Sequence, residues 1–133
     1  MISAEELLCT KFRKLLMTLG LSEYKFATLV SLFALDPMMP TSADLAYHAA
    51  VSRSAMTEIL DQMEASQWII RHRQKSDRRV VLIEITNTGR QLAEQAVNLT
   101  LESCEKIAHG MHQSQRRTVM NACSYLARQA GAL

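Results

Sequence analysis

Cysteine is sparse in this chain and badly spaced for structural use. Cys9, Cys104 and Cys123 are odd in number and far apart, and none sits in a C-x-x-C pair, which argues against a disulfide framework or a zinc finger. Aromatic residues are few, with one Trp, three Tyr and three Phe, so an aromatic platform for stacking single-stranded nucleic acid has little to be built from. No apolar run approaches the ~18 residues of a membrane span. The opening residues Met1 to Glu6 lack the basic start and apolar core of a signal peptide. The expectation is a cytoplasmic protein with no membrane partner. G-x-S-x-G, P-loop and H-E-x-x-H patterns are all missing, and no Cys–His spacing supports a nucleophile, so neither an enzyme nor a cofactor is expected. There is no internal repeat and no low-complexity segment.

At 133 residues the chain has the size of one domain, or one domain with dimerisation arms. Hydrophobic residues at 48% can fill a core, and charged residues at 21% suit a globular rather than a disordered chain. Ser3-Ala4-Glu5-Glu6 fits a capping box, in which hydroxyl and carboxylate satisfy each other's backbone donors. The helix it opens should run to about Leu19 and end at Gly20. Its apolar residues Leu7, Leu8, Phe12, Leu15, Leu16, Met17 and Leu19 spread wider than one surface stripe, which implies a second burial partner, most simply another subunit. Ser22 caps a second helix carrying Phe26, Leu29, Leu32 and Phe33, stopped at Asp36-Pro37 because proline pushes the preceding residue out of the α region.

Two short helical patterns follow. Thr41-Ser42-Ala43-Asp44 is a capping box for a helix through about His48, and Ala49-Ala50-Val51 reads as a turn. Ser52 then caps a longer helix with Met56, Ile59, Leu60 and Met63 at i, i+3, i+4 and i+7 on its buried face. Trp68-Ile69-Ile70 begins a strand, with Val80 to Ile85 as its antiparallel mate, and Thr86 to Gly89 ends the sheet. A long helix carrying Leu92, Ala93, Ala96, Val97, Leu101, Cys104 and Ile107 should break near Gly110. Ser114 should cap a last helix with Val119, Met120, Cys123, Leu126 and Ala130.

The loop between the strands concentrates charge. Residues 71–79 hold Arg71, Arg73, Lys75, Arg78 and Arg79 against the single acid Asp77, a net +4, whereas the whole chain is +2. A chain that gathers its cations on one loop has a face built for a polyanion. Directly before it stands a pattern of helix-turn-helix length, in which the second helix can enter a major groove while the first braces it across the backbone. Ser42 to His48 would brace, and Ser52 to Ser66 would read. Ser42, Ser52 and Ser54 can bond to phosphate, or in the reading helix to a base. Arg53 can grip phosphate or guanine O6 and N7, and Thr57 offers a hydroxyl to a base edge and a methyl to thymine. Glu58 is unfavourable near phosphate, so it accepts from cytosine N4 or turns away. Of the loop residues Arg73, Lys75, Asp77, Arg78 and Arg79, either arginine of the tip could enter a minor groove, and Asp77 could pair with a neighbouring guanidinium to fix its direction.

In this order the pieces resemble the MarR family of bacterial winged-helix regulators. Leu21-Ser22-Glu23-Tyr24-Lys25-Phe26 is similar to the family's Leu-Thr-x-x-Gln-Phe, Asp44 to Ala46 and Val51 to Ser54 to its helix-turn-helix, and Trp68-Ile69-Ile70-Arg71 to the wing entry. Asp77-Arg78-Arg79 matches Asp-x-Arg, and Ile85-Thr86 with Gly89 matches the apolar-Thr-x-x-Gly after the sheet. The resemblance covers about residues 21 to 92. It implies a mainly α fold with a small antiparallel β-hairpin wing: an N-terminal dimerisation helix over 1–20, a winged helix-turn-helix lobe over 21–92, and C-terminal dimerisation helices over 93–133. It further implies an obligate homodimer on a pseudo-palindromic double-stranded operator, with Arg79 in the minor groove. Such a protein is mostly a repressor, released by a small, often phenolic or aromatic, ligand. Gln67 departs from the pattern, standing where the family commonly has Gly; a left-handed conformation there would be strained by roughly a kcal/mol.

Other signals carry alternatives. Cys9 in the first helix, near Lys11, Arg13 and Lys14, would make a redox-switched repressor if its thiol were exposed and its pKa lowered, although Tyr24, Tyr47 and Tyr125 are not placed as in oxidant-sensing relatives. The plainer reading is a small buried residue at a dimer core, and Cys104 and Cys123 read as core. His109-x-x-His112 could ligate a metal with His48 or Glu105, but reads as exposed polar surface and no metal site is assigned. The eight methionines suit adaptable packing. From a different class, a winged helix can serve as a protein–protein interaction module.

Overall fold

The computed structural model describes residues 3–118 and 121. Its elements run α1 (Ala4–Met17), α2 (Glu23–Leu35), α3 (Ser42–Ala49), α4 (Arg53–Ala65), β1 (Ile69–Arg73), β2 (Val81–Ile85) and α5 (Asn87–His109). The chain forms two compact units that part after Leu99. In the first, a two-stranded antiparallel sheet is packed among helices, which is the mainly helical winged architecture the sequence implies.

Each helix begins where a side chain can satisfy its orphan donors. Ser3 and Glu6 close a capping box on α1, and Thr41 and Asp44 close another on α3. The Ser22 and Ser52 hydroxyls accept from the backbone of Lys25 and Ala55 to start α2 and α4. α1 ends sooner than its apolar run suggests, at Met17, and a turn through Gly20 at φ 74 leads into α2. Asp36 ends α2 in an extended conformation.

α5 starts earlier than the sequence pattern implies. Thr86 to Gly89 does not merely end the sheet: Thr86 is the cap, its Oγ1 accepting from Gly89 N at 3.0 Å, and Gly89 lies in the first helical turn. The last helix also opens before Ser114. Residues 113–118 are helical, Arg116 N donates to His112 O at 3.0 Å, and the Gln115 amide oxygen accepts from His112 N at 3.0 Å. His112 therefore holds the cap position. The expected residues Val119, Met120, Cys123, Leu126 and Ala130 fall outside the described residues, as does Tyr125.

The core of the first unit is built from one face of every element. Leu16 of α1, Leu29 and Leu32 of α2, Leu45 and Ala46 of α3, and Met56, Leu60 and Met63 of α4 are buried with Ile69, Ile83, Ile85, Ala93 and Ala96. Each large side chain so buried contributes about 1.5–3 kcal/mol of transfer free energy. Thr28 is polar and buried, and its hydroxyl donates to Tyr24 O at 2.7 Å. α1 is joined to α2 by an edge-to-face pair, Phe12 on Phe26, and by an Arg13–Glu23 ion pair at 2.7 Å. The rest of α1 is poorly covered: Leu7 is 49% and Met17 71% exposed, and Cys9 is exposed within the single protomer.

The strands pair in the register Ile69↔Ile85 to Arg73↔Val81. Alternation then sends Ile69, Ile83 and Ile85 inward and Ile70 and His72 outward. A contact that no sequence pattern announced ties the helix-turn-helix to the sheet. Ile83 N donates to Pro40 O at 2.9 Å, and Thr41 bridges to Leu82, so β2 is paired on both edges just before α3 begins.

Candidate nucleic-acid interface

The turn between α3 and α4 is set by one left-handed residue. Ala50 has φ 55 and ψ 40, and its N–H and that of Val51 close back onto carbonyls of α3. Val51 packs on the core, and Ser52 restarts the helix. The first turn of α4 therefore points outward, with Ser52, Arg53 and Ser54 all exposed. The Ser52 oxygen is engaged in the cap, which leaves its hydroxyl proton free to donate. Thr57 is exposed one turn on. Its hydroxyl donates to Arg53 O at 2.9 Å, so it faces outward as an acceptor and a methyl group.

A cleft of about 600 Å³ lies between the reading helix and the wing, lined by Ser42, Thr57, Asp61, Glu64, Arg71 and Arg73. This brings Ser42, Thr57 and Arg73 together. Arg73, Gln74, Lys75 and Arg78 line a second hollow on the wing. Ser52, Arg53 and Ser54 line neither, and Asp77 and Arg79 stand at the hairpin tip.

The tip is closed by backbone bonds from Val80 N to Asp77 O and from Gln74 N to Val80 O, both 3.1 Å. Asp77 fixes Arg79 through the backbone: its carboxylate accepts from Arg79 N at 3.0 Å, whereas the Arg79 guanidinium lies 3.9 Å from the same oxygen and is 97% exposed. An ion pair that long and that wet adds little. The Asp77 side chain thus shapes the turn and leaves the cation free to meet another anion.

Arg71 behaves differently from the rest of the loop. Its Nη2 lies 2.5 Å from Asp61 Oδ1, and its guanidinium bonds both Glu64 oxygens at 3.2 Å. Hydrogen bonding from Arg71 holds the Glu64 carboxyl below its usual range, and the bond to Glu64 in turn raises the Arg71 pKa. Arg71 is therefore a strut between β1 and the far half of α4, and the free positive charge of the loop is smaller than its formal count. On the outer face of the wing, His72 Nε2 lies 2.7 Å from Glu84 Oε2. Arg53, Arg73, Lys75 and Arg78 take part in no ion pair among the described residues.

Behind this face, Thr86 fastens reading helix, wing and α5 together. Its Oγ1 donates to Gln67 O at 2.7 Å and its N–H to Trp68 O at 3.0 Å. Gln67 takes the left-handed conformation, φ 63, that its place at the end of α4 requires. Arg90 bonds both Asp36 oxygens at 2.7 and 3.1 Å and Asn87 Oδ1 at 2.6 Å, linking α5 to the end of α2. That bond lowers the Asp36 pKa. Thr86, Arg71 and Arg90 were not expected as positioning residues. The Thr-x-x-Gly spacing was the available signal for the first, and nothing local marks the other two.

Elsewhere, His109 and His112 are exposed, and the described residues contain no cluster of three metal-ligating side chains. No described helix is long and apolar enough to cross a membrane.

The MarR family model matches residues 21–81. The HTH-type transcriptional regulator FarR of Neisseria gonorrhoeae is 28% identical over 95 residues, which are 71% of this chain and 64% of that relative's length. Among solved structures, the DNA complex of MepR from Staphylococcus aureus matches with a TM-score of 0.75 at 16% identity, covering 100% of both chains. NadR in complex with 4-hydroxyphenylacetate matches with a TM-score of 0.70 at 23% identity, covering 93% of this chain and 86% of that one.

Proposed function

We propose that this chain, whose residues 21–81 match the MarR family model, is a member of that family and a sequence-specific double-stranded DNA-binding transcriptional regulator, acting as a homodimer. The observation that carries the reading is the pairing of an outward-pointing first turn of α4 with wing cations that lack intramolecular partners. Ser52, Arg53, Ser54 and Thr57 would meet base edges and phosphates in a major groove, with Ser42 bonding a phosphate from α3. Arg73, Lys75 and Arg78 would track the flanking backbone, and Arg79, aimed by the Asp77 turn, would enter the minor groove.

The exposed Leu7 and Met17 of α1 are the surface a partner protomer would cover. That exposure supports a dimerisation arm over 1–20, to be joined in the proposed dimer by a second arm over 93–133, around a DNA-reading lobe over 21–92. Two such lobes would occupy the halves of a pseudo-palindromic operator. MepR was solved on DNA, and NadR holds a phenolic acid; both support a repressor released by a small phenolic or aromatic ligand.

Fluorescence anisotropy against the DNA upstream of the chain's own gene, titrated over salt, tests the reading. Binding should weaken steeply with salt. Arg79→Ala, which removes two phosphate-region cations per dimer, should lower the log–log salt slope by about two. Binding no tighter than to random duplex, in wild type and variant alike, would overturn it.

A further inference from the structure

Beyond its first turn, α4 carries three carboxylates, Glu58, Asp61 and Glu64. Two of them share one cation: Arg71 reaches back from β1, bonds both Asp61 and Glu64, and offsets one of their two negative charges. Glu58 is left out of that network. The residues three and four positions from it are Ser54, Ala55, Asp61 and Gln62, so helix spacing offers it no cation and one like charge. Among the described residues its side chain takes part in no hydrogen bond or ion pair. It is exposed on the face opposite the buried Met56, Leu60 and Met63, one turn on from Ser54.

An unneutralised carboxylate on the face of a helix that enters a major groove is repelled by both phosphate rows. It is also an acceptor only. The groove offers it two base donors, cytosine N4 and adenine N6. Adenine sets its N7 acceptor beside the amino group, which repels a carboxylate, while cytosine presents its amino group without one.

We propose that Glu58 reads a C·G pair through the cytosine N4 amino group, and that Arg71 holds the other two carboxylates of α4 and offsets half of their charge. The inference rests on the DNA-reading function proposed above. Glu58 then works mainly by exclusion: it weakens binding everywhere except where a cytosine amino group meets it. In a homodimer the preference appears at two mirror-related positions of the operator.

Selection from a randomised duplex library, using the full chain as wild type, Glu58→Ala, Glu58→Gln and Arg79→Ala, tests this. Wild type should fix a C·G pair at the mirror positions, and replacing it should weaken binding roughly ten-fold or more. Glu58→Ala should lose that discrimination while binding unrelated duplexes more tightly than wild type. Glu58→Gln should shift the preference at the same positions toward A·T, since an amide can bond adenine N6 and N7 together. Arg79→Ala should bind more weakly with the preference intact. Identical base preferences in wild type and Glu58→Ala would overturn the assignment of Glu58 while leaving the DNA-reading function standing. A wild type that enriches no duplex would overturn both. Glu58 is exposed and unbonded, so both variants should keep the wild-type circular dichroism and melting temperature.

Discussion

Gly89 is the position where adding a single carbon should do most harm. A Cβ built there would lie 2.3 Å from Trp68 O, 2.9 Å from Ile85 Cγ1 and 3.2 Å from the Trp68 carbonyl carbon. Ordinary contact begins near 3.4 Å, so about 1 Å of movement is needed. Neither neighbour can give it cheaply. Trp68 O accepts from Thr86 N, Trp68 N donates to Met63 O, and Ile85 is paired with Ile69 and buried in the core. Overpacking against fixed backbone costs about 3 kcal/mol, at the upper end of its usual range. Replacing glycine by alanine in a helix returns at most about 1 kcal/mol, so Gly89→Ala should lose about 2 kcal/mol. For a chain of this length that is a fall in melting temperature of roughly 8 °C. The assay is thermal unfolding followed by circular dichroism, with wild type and variant at one protein concentration because a dimer's melting point depends on it. An unchanged or higher melting temperature would refute the close approach of α5 to the carbonyl that follows the reading helix.

Three other perturbations have defined outcomes. Gln67→Gly should raise stability by up to about 1 kcal/mol, since φ 63 is left-handed and free for glycine; a lower melting temperature would mean that the Gln67 side chain contributes more than its strain. Acid should destabilise the fold through Asp36, Asp44 and Glu64. The carboxyls are held below their ordinary values of 3.8 and 4.5 by the hydrogen bonds from Arg90, from the Thr41 backbone and from Arg71 respectively. A depressed folded pKa contributes stability that is fully present above the unfolded value and lost as pH falls through the folded one. The melting temperature should therefore drop below about pH 4.5, and less steeply in Asp36→Asn; identical acid limbs would show that the Arg90 bond does not matter to folding. Arg71→Met should weaken DNA binding although Arg71 already spends its charge within the protein, because it frees Asp61 and Glu64 in the cleft they share with Arg73. Adding Asp61→Asn and Glu64→Gln should restore part of the affinity, and unchanged binding in Arg71→Met would remove the strut's role.

Local signals carried most of the fold. The capping boxes at Ser3 and Thr41, the serine caps at 22 and 52 and the i, i+3, i+4, i+7 stripe of α4 are each satisfied within a few residues of chain, so the folded protein keeps what the sequence offers. Two helices start earlier than the local signals imply. The Thr86–Gly89 stretch follows the end of the sheet at Ile85 and also opens α5; a glycine in the first turn of that helix is understood only once Trp68 O is seen above it. Serine is the better cap by type and Ser114 reads as one, whereas Gln115 reaching back to the His112 N–H sets the cap at residue 112.

What the sequence could not carry was the sorting of charges. A net +4 over residues 71–79 treats its cations as equivalent, yet Arg71 and Arg73, two residues apart on one strand, have different partners and different work. The partners of Arg71 are ten and seven residues back, on a helix whose distance from β1 depends on the turn at Gln67 and the Thr86 bonds behind it. No window of sequence short enough to show a motif contains that geometry. Removing Arg71 from the count and adding Arg53 moves the free positive charge from a loop to a face that spans the first turn of α4 and the wing. The same step isolates Glu58, because a carboxylate stands out as unpaired only after its two neighbours on the helix have been matched. The sequence marked where charge accumulates; the fold decides which charges remain available to another molecule, and the specificity proposed for this face follows from that remainder.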